Sequence, residues 1–350
     1  MILDVARIFF HDEIESLKRE IEDANFSSYT ILTDDNCEKY CQKELINLFS
    51  QFGDAQLIVV PAGDKNKNIS NLEFIWNQLL NNADRHSLLI NLGGGMISDL
   101  GGFAASTFKR GISFINVPTS LLAMVDASIG GKTAINFANF KNQIGSFTDA
   151  FATFIDLNFL KTLPEKELLS GFSEMLKVAI ISNIDLFNLL SANEEFSKKI
   201  TQDIIKQAIN AKLSIVKSDP KELGKRKLLN FGHTIGHAFE TYSMQNDASP
   251  ISHGQAVAIG MICETQIALQ LSIISPQEHY ILVDVIKNFF PKYSFTINAL
   301  ISLISNMKTD KKNVAGKINF SLPQSVGCGL IDIYPSENII QKSIEFYHSL

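Results

Sequence analysis

The alternation of two kinds of segment constrains the fold more than any other feature of this chain. In the first 150 residues, short apolar runs lie at residues 29–34, 57–61, 88–92 and 112–118, and polar loops with helix-compatible stretches separate them. This rhythm is typical of βαβ units. It predicts an α/β domain with a mostly parallel sheet.

The pattern changes after about residue 155. Up to about residue 306 the periodicity is mostly helical, with helices expected over residues 173–182, 199–217 and 253–271. A short strand is expected over residues 317–323. The second half of the chain is therefore predicted to be mainly α-helical.

Length and composition set the limits of the interpretation. The 350 residues are enough for two domains, which we place at residues 1–157 and 158–350. The net charge of −6 argues against a nucleic-acid or anionic-membrane partner. With no secretory signal, no long apolar run and four irregularly spaced cysteines, we expect a cytoplasmic protein with reduced thiols.

A glycine-rich turn at residues 91–99 follows a predicted strand and opens a predicted helix. Its three glycines allow a ligand to approach the backbone, and a helix N-terminus favours an anion such as a pyrophosphate. The spacing differs from the GxGxxG fingerprint, so a purely structural turn remains the alternative. On that alternative, Asp99 simply favours the start of the helix.

A second glycine turn lies at residues 126–133. The P-loop pattern would need glycine in place of Asp126, so we reject a nucleotide triphosphatase. Lys132 still suits a phosphate contact, helped by Lys141 and Asn142. The alternative is a solvated loop lysine.

Three of the seven histidines lie close together in the sequence. His233 and His237 share a helix face at i, i+4, and His253 follows; such a group forms either a metal or proton-handling site or a set of buried core histidines. Upstream, Glu174 and Lys177 form either an ordinary helix ion pair, worth about 0.2–0.5 kcal/mol, or part of the site. Glu174 would complete the two-histidine, one-carboxylate set of a catalytic zinc.

Several basic residues follow in this acidic chain, namely Lys212, Arg226, Lys311 and Lys312. Each one alone is best explained as a surface charge. Several cations beside a metal site would instead indicate a small polyanionic substrate.

These motifs, in this order, resemble those of the 3-dehydroquinate synthases, which are sugar-phosphate cyclases. The matching segments are residues 93–103, 126–133, 171–177, 228–237 and the segment from His253. The resemblance implies the dehydroquinate synthase-like fold, with a mostly parallel nucleotide-binding sheet and a helical metal-binding domain. It also implies a homodimer that uses NAD and one divalent metal, zinc or else cobalt.

The implied reaction converts 3-deoxy-D-arabino-heptulosonate 7-phosphate to 3-dehydroquinate and phosphate. It proceeds by transient NAD-mediated oxidation, β-elimination of phosphate, re-reduction and intramolecular aldol closure. By physical fit, we expect Lys132, Asn142 and Lys311 to hold the phosphate. Lys212 and Arg226 would hold the carboxylate, because the arginine fork matches two oxygens, and His237 would relay protons.

The resemblance also implies a set of site residues. The implied metal ligands are Glu174, His233 and His253. Contacts with the substrate fall to Asp126, Lys132, Asn142, Lys177, Lys212, Arg226, Asn230, His237 and Lys311, with Arg110 reaching the site of the neighbouring subunit. Contacts with NAD fall to Asp34, Asn36, Gly63, Asp64, Lys65, Lys67, Gly94, Gly95, Met96, Ile97, Ser98, Asp99, Thr119, Ser120, Lys132, Lys141, Phe159, Leu160, Lys161 and Thr162.

The chain departs from the family pattern at two points of the expected cofactor site. Ala62 and Asp64 stand where the family usually has aspartate and glutamate, and Ser98 stands where it usually has glycine. Three other functions stay open. They are a related cyclase such as 2-deoxy-scyllo-inosose synthase, a metal-dependent oxidoreductase of the glycerol dehydrogenase type, and an inactive relative with a binding role.

Overall fold

The computed structural model describes residues 7–41, 55–138, 140–192, 194–308 and 317–350. The chain divides into two compact units, Met1–Pro164 and Glu165–Leu350. The first unit ends a short way beyond the boundary expected at residue 157. The basic residues Lys311 and Lys312 lie outside the described residues.

A six-stranded parallel sheet forms the centre of the first unit. In chain order, the strands of this unit are β1 (Ile8–Phe10), β2 (Tyr29–Asp34), β3 (Gln56–Val60), β4 (Leu88–Gly93), β5 (Ser113–Pro118), β6 (Lys132–Phe137), β7 (Phe140–Phe147) and β8 (Ala152–Ile155). The sheet order is β1-β8-β5-β4-β2-β3, and every pairing in it is parallel. Strands β6 and β7 form a separate antiparallel ribbon. The four predicted strands and the parallel arrangement are therefore confirmed.

The helices of the first unit cover the sheet. They are α1 (Ile14–Ala24), α2 (Asp35–Tyr40), α3 (Ile69–Asn82) and α4 (Gly95–Thr107). All six residues of β4 are buried, and Leu89 packs in one apolar cluster with Ile97 and Phe114. A strand that is buried on both faces has a continuous apolar sequence, which explains why β4 was recognisable.

The second unit is mainly helical. Its elements are α5 (Glu165–Ser182), α6 (Ile184–Ser191), α7 (Gln202–Ser218), α8 (His233–Asn246), α9 (His253–Gln270), α10 (Pro276–Phe289), α11 (Ala299–Lys308), the antiparallel hairpin of β9 (Phe320–Ser325) and β10 (Cys328–Ile333), and α12 (Glu337–Ser349). Helix α9 is buried along most of its length, as its apolar sequence predicted. In the part of the chain that the structure describes, no helix is long and apolar enough to cross a membrane.

Two element boundaries differ from the sequence prediction. The helix expected from residue 199 begins at Gln202, because the Thr201 hydroxyl accepts the Ile204 N–H and caps it there. The strand expected from residue 317 begins at Phe320. Both differences lie within the usual uncertainty of element ends.

Glycines set the spacing between α8 and α9. A Cβ on Gly260 of α9 would overlap the carbonyl oxygen of Gly232, directly before α8. A Cβ on Gly236 would lie 2.8 Å from the Ala256 carbonyl oxygen. The two backbones thus approach more closely than side chains would allow.

Candidate metal and cofactor sites

Most of the expected NAD contacts follow the carboxyl ends of parallel strands. Strand β2 ends at Asp34, β4 at Gly93 and β5 directly before Thr119. The carboxyl ends of parallel strands meet at one edge of a sheet, which is where open α/β sheets bind ligands. The structure therefore brings these segments of the sequence to a common edge.

The glycine turn after β4 leaves room at the start of α4. Gly94 is the N-cap residue, and a Cβ built on it would meet nothing closer than the Ser120 hydroxyl at 3.5 Å. The Gly93 carbonyl accepts the Thr119 N–H at 3.0 Å, so the loops after β4 and β5 are tied together. The first N–H groups of a helix have no partner within it. In α4 these groups directly follow a glycine turn, and this combination suits an anion. Met96 and Ile97 continue this first turn, and the buried Ser98 hydroxyl donates to the Gly94 carbonyl at 3.4 Å.

Asp34 has a structural role as the cap of α2. Its Oδ1 accepts the N–H groups of Asn36 at 3.0 Å and Cys37 at 2.9 Å. The Cys37 Sγ in turn lies 3.2 Å from the Thr119 hydroxyl. None of the four cysteines, all of which lie in the described part of the chain, forms a disulfide.

A partly buried charge cluster, centred on the buried Lys67, links the loop after β3 to α4. The Lys67 Nζ lies 2.8 Å from Asp99 Oδ2 and 3.4 Å from Asp64 Oδ1, and the Lys141 Nζ lies 3.6 Å from Asp64 Oδ2. Burial opposes ionisation of Asp64, but Lys67 and Lys141 outweigh it and lower the pKa of that carboxyl. For Asp99, burial dominates and raises the pKa despite Lys67. The alternative that Asp99 favours the helix start is wrong. Helix α4 begins at Gly95, and Asp99 lies one turn after this start, where it pairs with Lys67.

The remaining members of the expected NAD set lie in two short turns. Gly63 has a φ of 99°, a conformation that favours glycine, and it precedes the turn that contains Lys65. The turn Leu157–Thr162 follows β8 and is capped by Asp156, whose side chain accepts the Asn158 N–H. Phe159 and Leu160 are buried in that turn, whereas Lys161 and Thr162 are exposed.

Three expected substrate contacts lie on and before the β6–β7 ribbon. Asp126 is in the π-helical turn Ala123–Ala127, a geometry that occurs often at functional sites. Lys132 begins β6, is exposed and pairs with Phe147 in the ribbon register. The Asn142 N–H donates to the Asn136 side chain at 3.0 Å. Because Lys132 begins β6 and Asn136 is near its end, Lys132 and Asn142 lie toward opposite ends of the ribbon.

Arg110 has an unusual backbone. Lys109 and Arg110 have φ angles of 48° and 72°, and both side chains are exposed. Residues other than glycine rarely adopt positive φ, and such strain is often found where a segment has a function.

In the helical unit, Glu174 and two histidines converge. Glu174 and Lys177 on α5 are 2% exposed and form an ion pair. The Glu174 Oε1 lies 3.5 Å from His233 Nε2 and 3.6 Å from His253 Nε2. Among the described residues, neither carboxylate oxygen of Glu174 has a hydrogen-bond partner of ordinary geometry. The helix ion pair, one of the two interpretations of Glu174 and Lys177, is therefore present, but it is buried and Glu174 also faces the two histidines.

The spacing of these three groups fits a metal ion. Ligand atoms about 2.1 Å from a tetrahedral zinc lie about 3.4 Å apart, close to the two Glu174–histidine distances. One donor atom from each residue lies within 4.8 Å of the others. Three protein ligands leave a position open for water or substrate, which is the arrangement of a catalytic site.

Neighbouring groups orient both histidines. The His233 Nδ1 lies 3.1 Å from the Phe231 carbonyl oxygen, which favours a proton on Nδ1 and leaves Nε2 as the ligand atom. The His253 Nδ1 lies 3.7 Å from Glu240 Oε1. Burial lowers the pKa of His253, but Glu174 and Glu240 outweigh burial and raise it to about 10. The local field thus favours a cation at this point.

His237 belongs to a second possible ligand group with Glu240 and His253. Its ring centroid lies 5.2 Å from that of His233 and 6.1 Å from that of His253. The first group has the closer fit, because in it the Nε2 atoms of both histidines face one carboxylate oxygen. The structure therefore brings all three histidines together, and His237 shares a possible ligand group with His253 but not with Glu174.

The other expected substrate residues of this unit are partly ordered by carboxylates that sequence reasoning missed. Lys212 on α7 and Arg226 are buried. Asp219 accepts the Arg226 N–H at 3.0 Å, and the guanidinium donates to the Pro220 carbonyl at 2.6 Å. The Asn230 side chain donates to Glu222 at 2.9 Å. The sequence did offer a signal for Asp219, because an aspartate before a glycine-containing loop often accepts hydrogen bonds from the backbone of that loop.

Two family models match consecutive parts of the chain. The 3-dehydroquinate synthase N-terminal model matches residues 57–170, and the 3-dehydroquinate synthase C-terminal model matches residues 171–313. A 3-dehydroquinate synthase of Parabacteroides distasonis is 41% identical over 344 residues, which cover 95% of this chain and 96% of the relative.

Solved structures show the same fold. A 2-deoxy-scyllo-inosose synthase complexed with carbaglucose-6-phosphate, NAD⁺ and Co²⁺ matches with a TM-score of 0.84 and 25% identity, covering 96% of this chain and 95% of that one. A 2-epi-5-epi-valiolone synthase from Streptomyces hygroscopicus with NAD⁺ and Zn²⁺ bound matches with a TM-score of 0.84 and 22% identity, covering 98% and 97%. The fold class expected from the sequence is confirmed, and the chain belongs to the 3-dehydroquinate synthase family.

Proposed function

We propose that the protein is a 3-dehydroquinate synthase, a phosphate lyase that converts 3-deoxy-D-arabino-heptulosonate 7-phosphate to 3-dehydroquinate and phosphate. The α/β unit is the NAD-binding domain of this proposal, and the helical unit binds metal and substrate. The observation that carries the proposal is the convergence of Glu174 with the Nε2 atoms of His233 and His253, in a chain that belongs to this family. We place the enzyme in the cytoplasm.

Glu174, His233 and His253 would hold the metal, and their two imidazoles and one carboxylate suit zinc best, with cobalt as a substitute. When bound, the metal supplies Lewis-acid polarisation of a substrate alcohol. Glu174 is suited to this role because its pKa is low. Burial raises that pKa, but Lys177 and His253 together lower it to about 2, so the carboxylate is ionised at neutral pH.

The remaining residues of the helical unit bind the substrate and move protons. Lys212 and Arg226 are buried cations in an acidic chain, and we assign them to the substrate carboxylate. Asn230 and Lys177 would contact hydroxyl groups. We assign His237, which is not one of the three proposed ligands, to proton transfer, because histidine is the side chain most often used to exchange protons near neutral pH.

In the α/β unit, we assign the pyrophosphate of NAD to the glycine turn before α4. Asp34, Asn36, Thr119, Ser120 and the turn Leu157–Thr162 would contact the rest of the cofactor from the same edge of the sheet. The charge cluster around the loop after β3 would also contact NAD. Its members are Asp64, Lys65, Lys67, Asp99 and Lys141. Asp126 would contact the substrate, and Lys132 and Asn142 would contact its phosphate, with Lys311 as a further contact.

A direct assay tests the activity. Protein supplied with substrate, NAD⁺ and zinc is expected to release one phosphate per substrate with no net NADH, because the hydride returns to the product. Omitting NAD⁺ from protein stripped of nucleotide serves as the control and should abolish release. Steady accumulation of NADH would indicate an oxidoreductase of the glycerol dehydrogenase type instead. Turnover of a hexose phosphate without a carboxylate, but not of the carboxylated substrate, would indicate the 2-deoxy-scyllo-inosose synthase alternative.

We also propose a homodimer in which Arg110 acts at the site of the neighbouring subunit. The strained backbone and the exposed side chain of this residue support the proposal. Arg110→Ala and Glu174→Ala are each expected to be inactive, yet mixing them should restore roughly a quarter of the wild-type activity, because in a two-fold dimer half of the molecules are hybrids with one complete site. No recovery in mixed dimers, verified by light scattering, would contradict the role of Arg110.

A further inference from the structure

A second buried carboxylate lies on the helix that carries His253. Glu264 is on α9, about three helical turns after His253, and its side chain is completely buried. It is the one charged residue in the sequence of this 18-residue helix apart from the histidine at its start. A buried carboxylate is retained only where other groups compensate its charge.

The compensating groups belong to the start of α8. The Glu264 Oε2 accepts the Gly232 N–H at 2.6 Å, and Oε1 accepts the Ile235 N–H at 3.1 Å. The N-cap residue of α8 is Gly232, with a φ of 78° and no side chain to serve as a cap. Glu264 therefore caps α8 from another helix, and its negative charge lies at the positive end of the α8 dipole.

The capped turn is the one that carries the predicted metal ligand. His233 is the first residue of α8 and lies between the two amides that Glu264 binds. His253 is the first residue of α9, the helix that carries Glu264. One side chain thus connects the helices on which the two histidines lie.

Other helices of the same unit are capped locally. Asn183, Thr201, Ser252 and Ser275 accept N–H groups of the helices that they themselves begin, α6, α7, α9 and α10. A local cap would stabilise α8 equally well. A cap from α9 additionally fixes where α8 begins relative to His253.

We infer that Glu264 is a positioning residue of the metal site, which sets His233 against His253 through the first turn of α8. This inference rests on the proposed metal site. The glycine contacts between α8 and α9 hold the helices close, and the two charged hydrogen bonds fix the register and rotation of the α8 start. Among the described residues, Glu264 belongs to neither possible metal-ligand group.

The variant Glu264→Gln tests this role with almost no change of shape. A glutamine has one acceptor oxygen, so one of the two amides loses its partner and faces an NH₂ group. We expect the dissociation constant for Zn²⁺, measured by competition with a chromophoric chelator, to rise about 10-fold, as for other groups that orient metal ligands. The absorption spectrum of the Co²⁺-loaded protein should also change, because it reports ligand geometry.

Asn183→Ala is the matched control, because it removes the cap of α6, a helix without predicted site residues. It should lower the melting temperature and leave both the Zn²⁺ dissociation constant and the Co²⁺ spectrum unchanged. If Glu264→Gln does not fold, Glu264→Asp keeps the charge on a shorter side chain and should weaken Zn²⁺ binding to a smaller degree.

The possible outcomes separate the inference from the function on which it rests. If the wild-type protein binds no Zn²⁺, the proposed metal site is wrong and the role of Glu264 falls with it. If the wild type binds Zn²⁺ and the Glu264 variant binds it equally well with the same Co²⁺ spectrum, Glu264 is only a helix cap. Weaker binding in both the Glu264 and the Asn183 variants would also overturn the inference, because general loss of stability would explain it.

Discussion

The two units hold their expected functional residues in different ways. In the α/β unit, these residues lie mostly in loops that follow the carboxyl ends of strands, as in the glycine turn between β4 and α4. In the helical unit, they are side chains on the faces of buried helices, and their charges compensate one another.

This difference teaches how binding relates to stability in each unit. A loop after a strand can lose a ligand contact while the sheet beneath it stays intact. A buried charge that loses its partner destabilises the helices that carry it. We therefore expect changes in the first unit to affect mainly affinity, and changes in the second to affect affinity and stability together.

The largest effect is expected from Glu174→Ala. It removes the carboxylate that would bind the metal, and with it one ion-pair partner of the buried Lys177. Loss of Lewis-acid stabilisation worth several kcal/mol corresponds to a fall in kcat on the order of 10³-fold. Metal analysis of the purified protein and steady-state kinetics measure the two effects. Glu167→Ala, an exposed glutamate on the same helix, is the control and should retain metal and activity; retained metal in Glu174→Ala would refute its role as a ligand.

Lys67→Met tests a part of the α/β unit that is not held by loops alone. There the side chains of Lys67 and Asp99 form a largely buried ion pair. The change leaves Asp99 without the cation at 2.8 Å, and breaking a buried pair costs about 3 kcal/mol. Urea denaturation at pH 7 measures the loss. The double variant Lys67→Met/Asp99→Leu should recover most of it, because no unpaired charge remains. If the double variant is no more stable than the single one, the pair does not behave as a buried ion pair.

Gly94→Ala tests the loop-based site in isolation. The added methyl group meets only the Ser120 hydroxyl at 3.5 Å, so stability should stay unchanged, but it enters the space assigned to the NAD pyrophosphate. A steric cost of about 1–3 kcal/mol corresponds to roughly 5- to 150-fold weaker NAD⁺ binding, measurable by calorimetry.

Gly101→Ala on the same helix α4 is the contrasting variant. Its Cβ would overlap the Asn91 side chain within the fold, so it should lose stability by about 1–3 kcal/mol. Equal NAD⁺ affinity of Gly94→Ala and wild type would remove the glycine turn from the cofactor site.

The smallest effect concerns His279, a buried histidine of α10 outside the proposed site. Burial lowers the pKa of His279 in the folded protein, so the unfolded chain takes up the proton at a higher pH. Stability is then full above the unfolded pKa of about 6.5 and falls as the pH drops through it. Between pH 7 and pH 5, wild-type stability should fall more steeply than that of His279→Leu. Parallel pH profiles in urea denaturation would exclude this contribution.

The sequence predicted the elements whose signal is local. Strand β4 is mostly apolar because both of its faces are buried, and the histidine pair at i, i+4 lies on one helix, α8, as its spacing predicted. The ends of elements were less accurate where a cap decided them, as Thr201 does for α7.

Contacts between distant segments could not be read from local patterns. Asp99 was considered as a helix-start residue, yet its partner is Lys67, which lies 32 positions earlier in the chain. Glu240 and Glu264 face the histidine region only because α8 and α9 pack together. For Glu264 a signal did exist, namely a single carboxylate within an otherwise uncharged buried helix.

The glycine contact between α8 and α9 also limits how this protein can evolve. Replacing Gly260 in one mutational step adds a carbon where the Gly232 carbonyl oxygen already lies. Because that oxygen belongs to the backbone, a side chain at residue 260 fits only if the start of α8 moves away from α9. Such a shift would displace His233, the first residue of α8, so we expect variation in this protein to fall on residues around the histidines before it reaches Gly260.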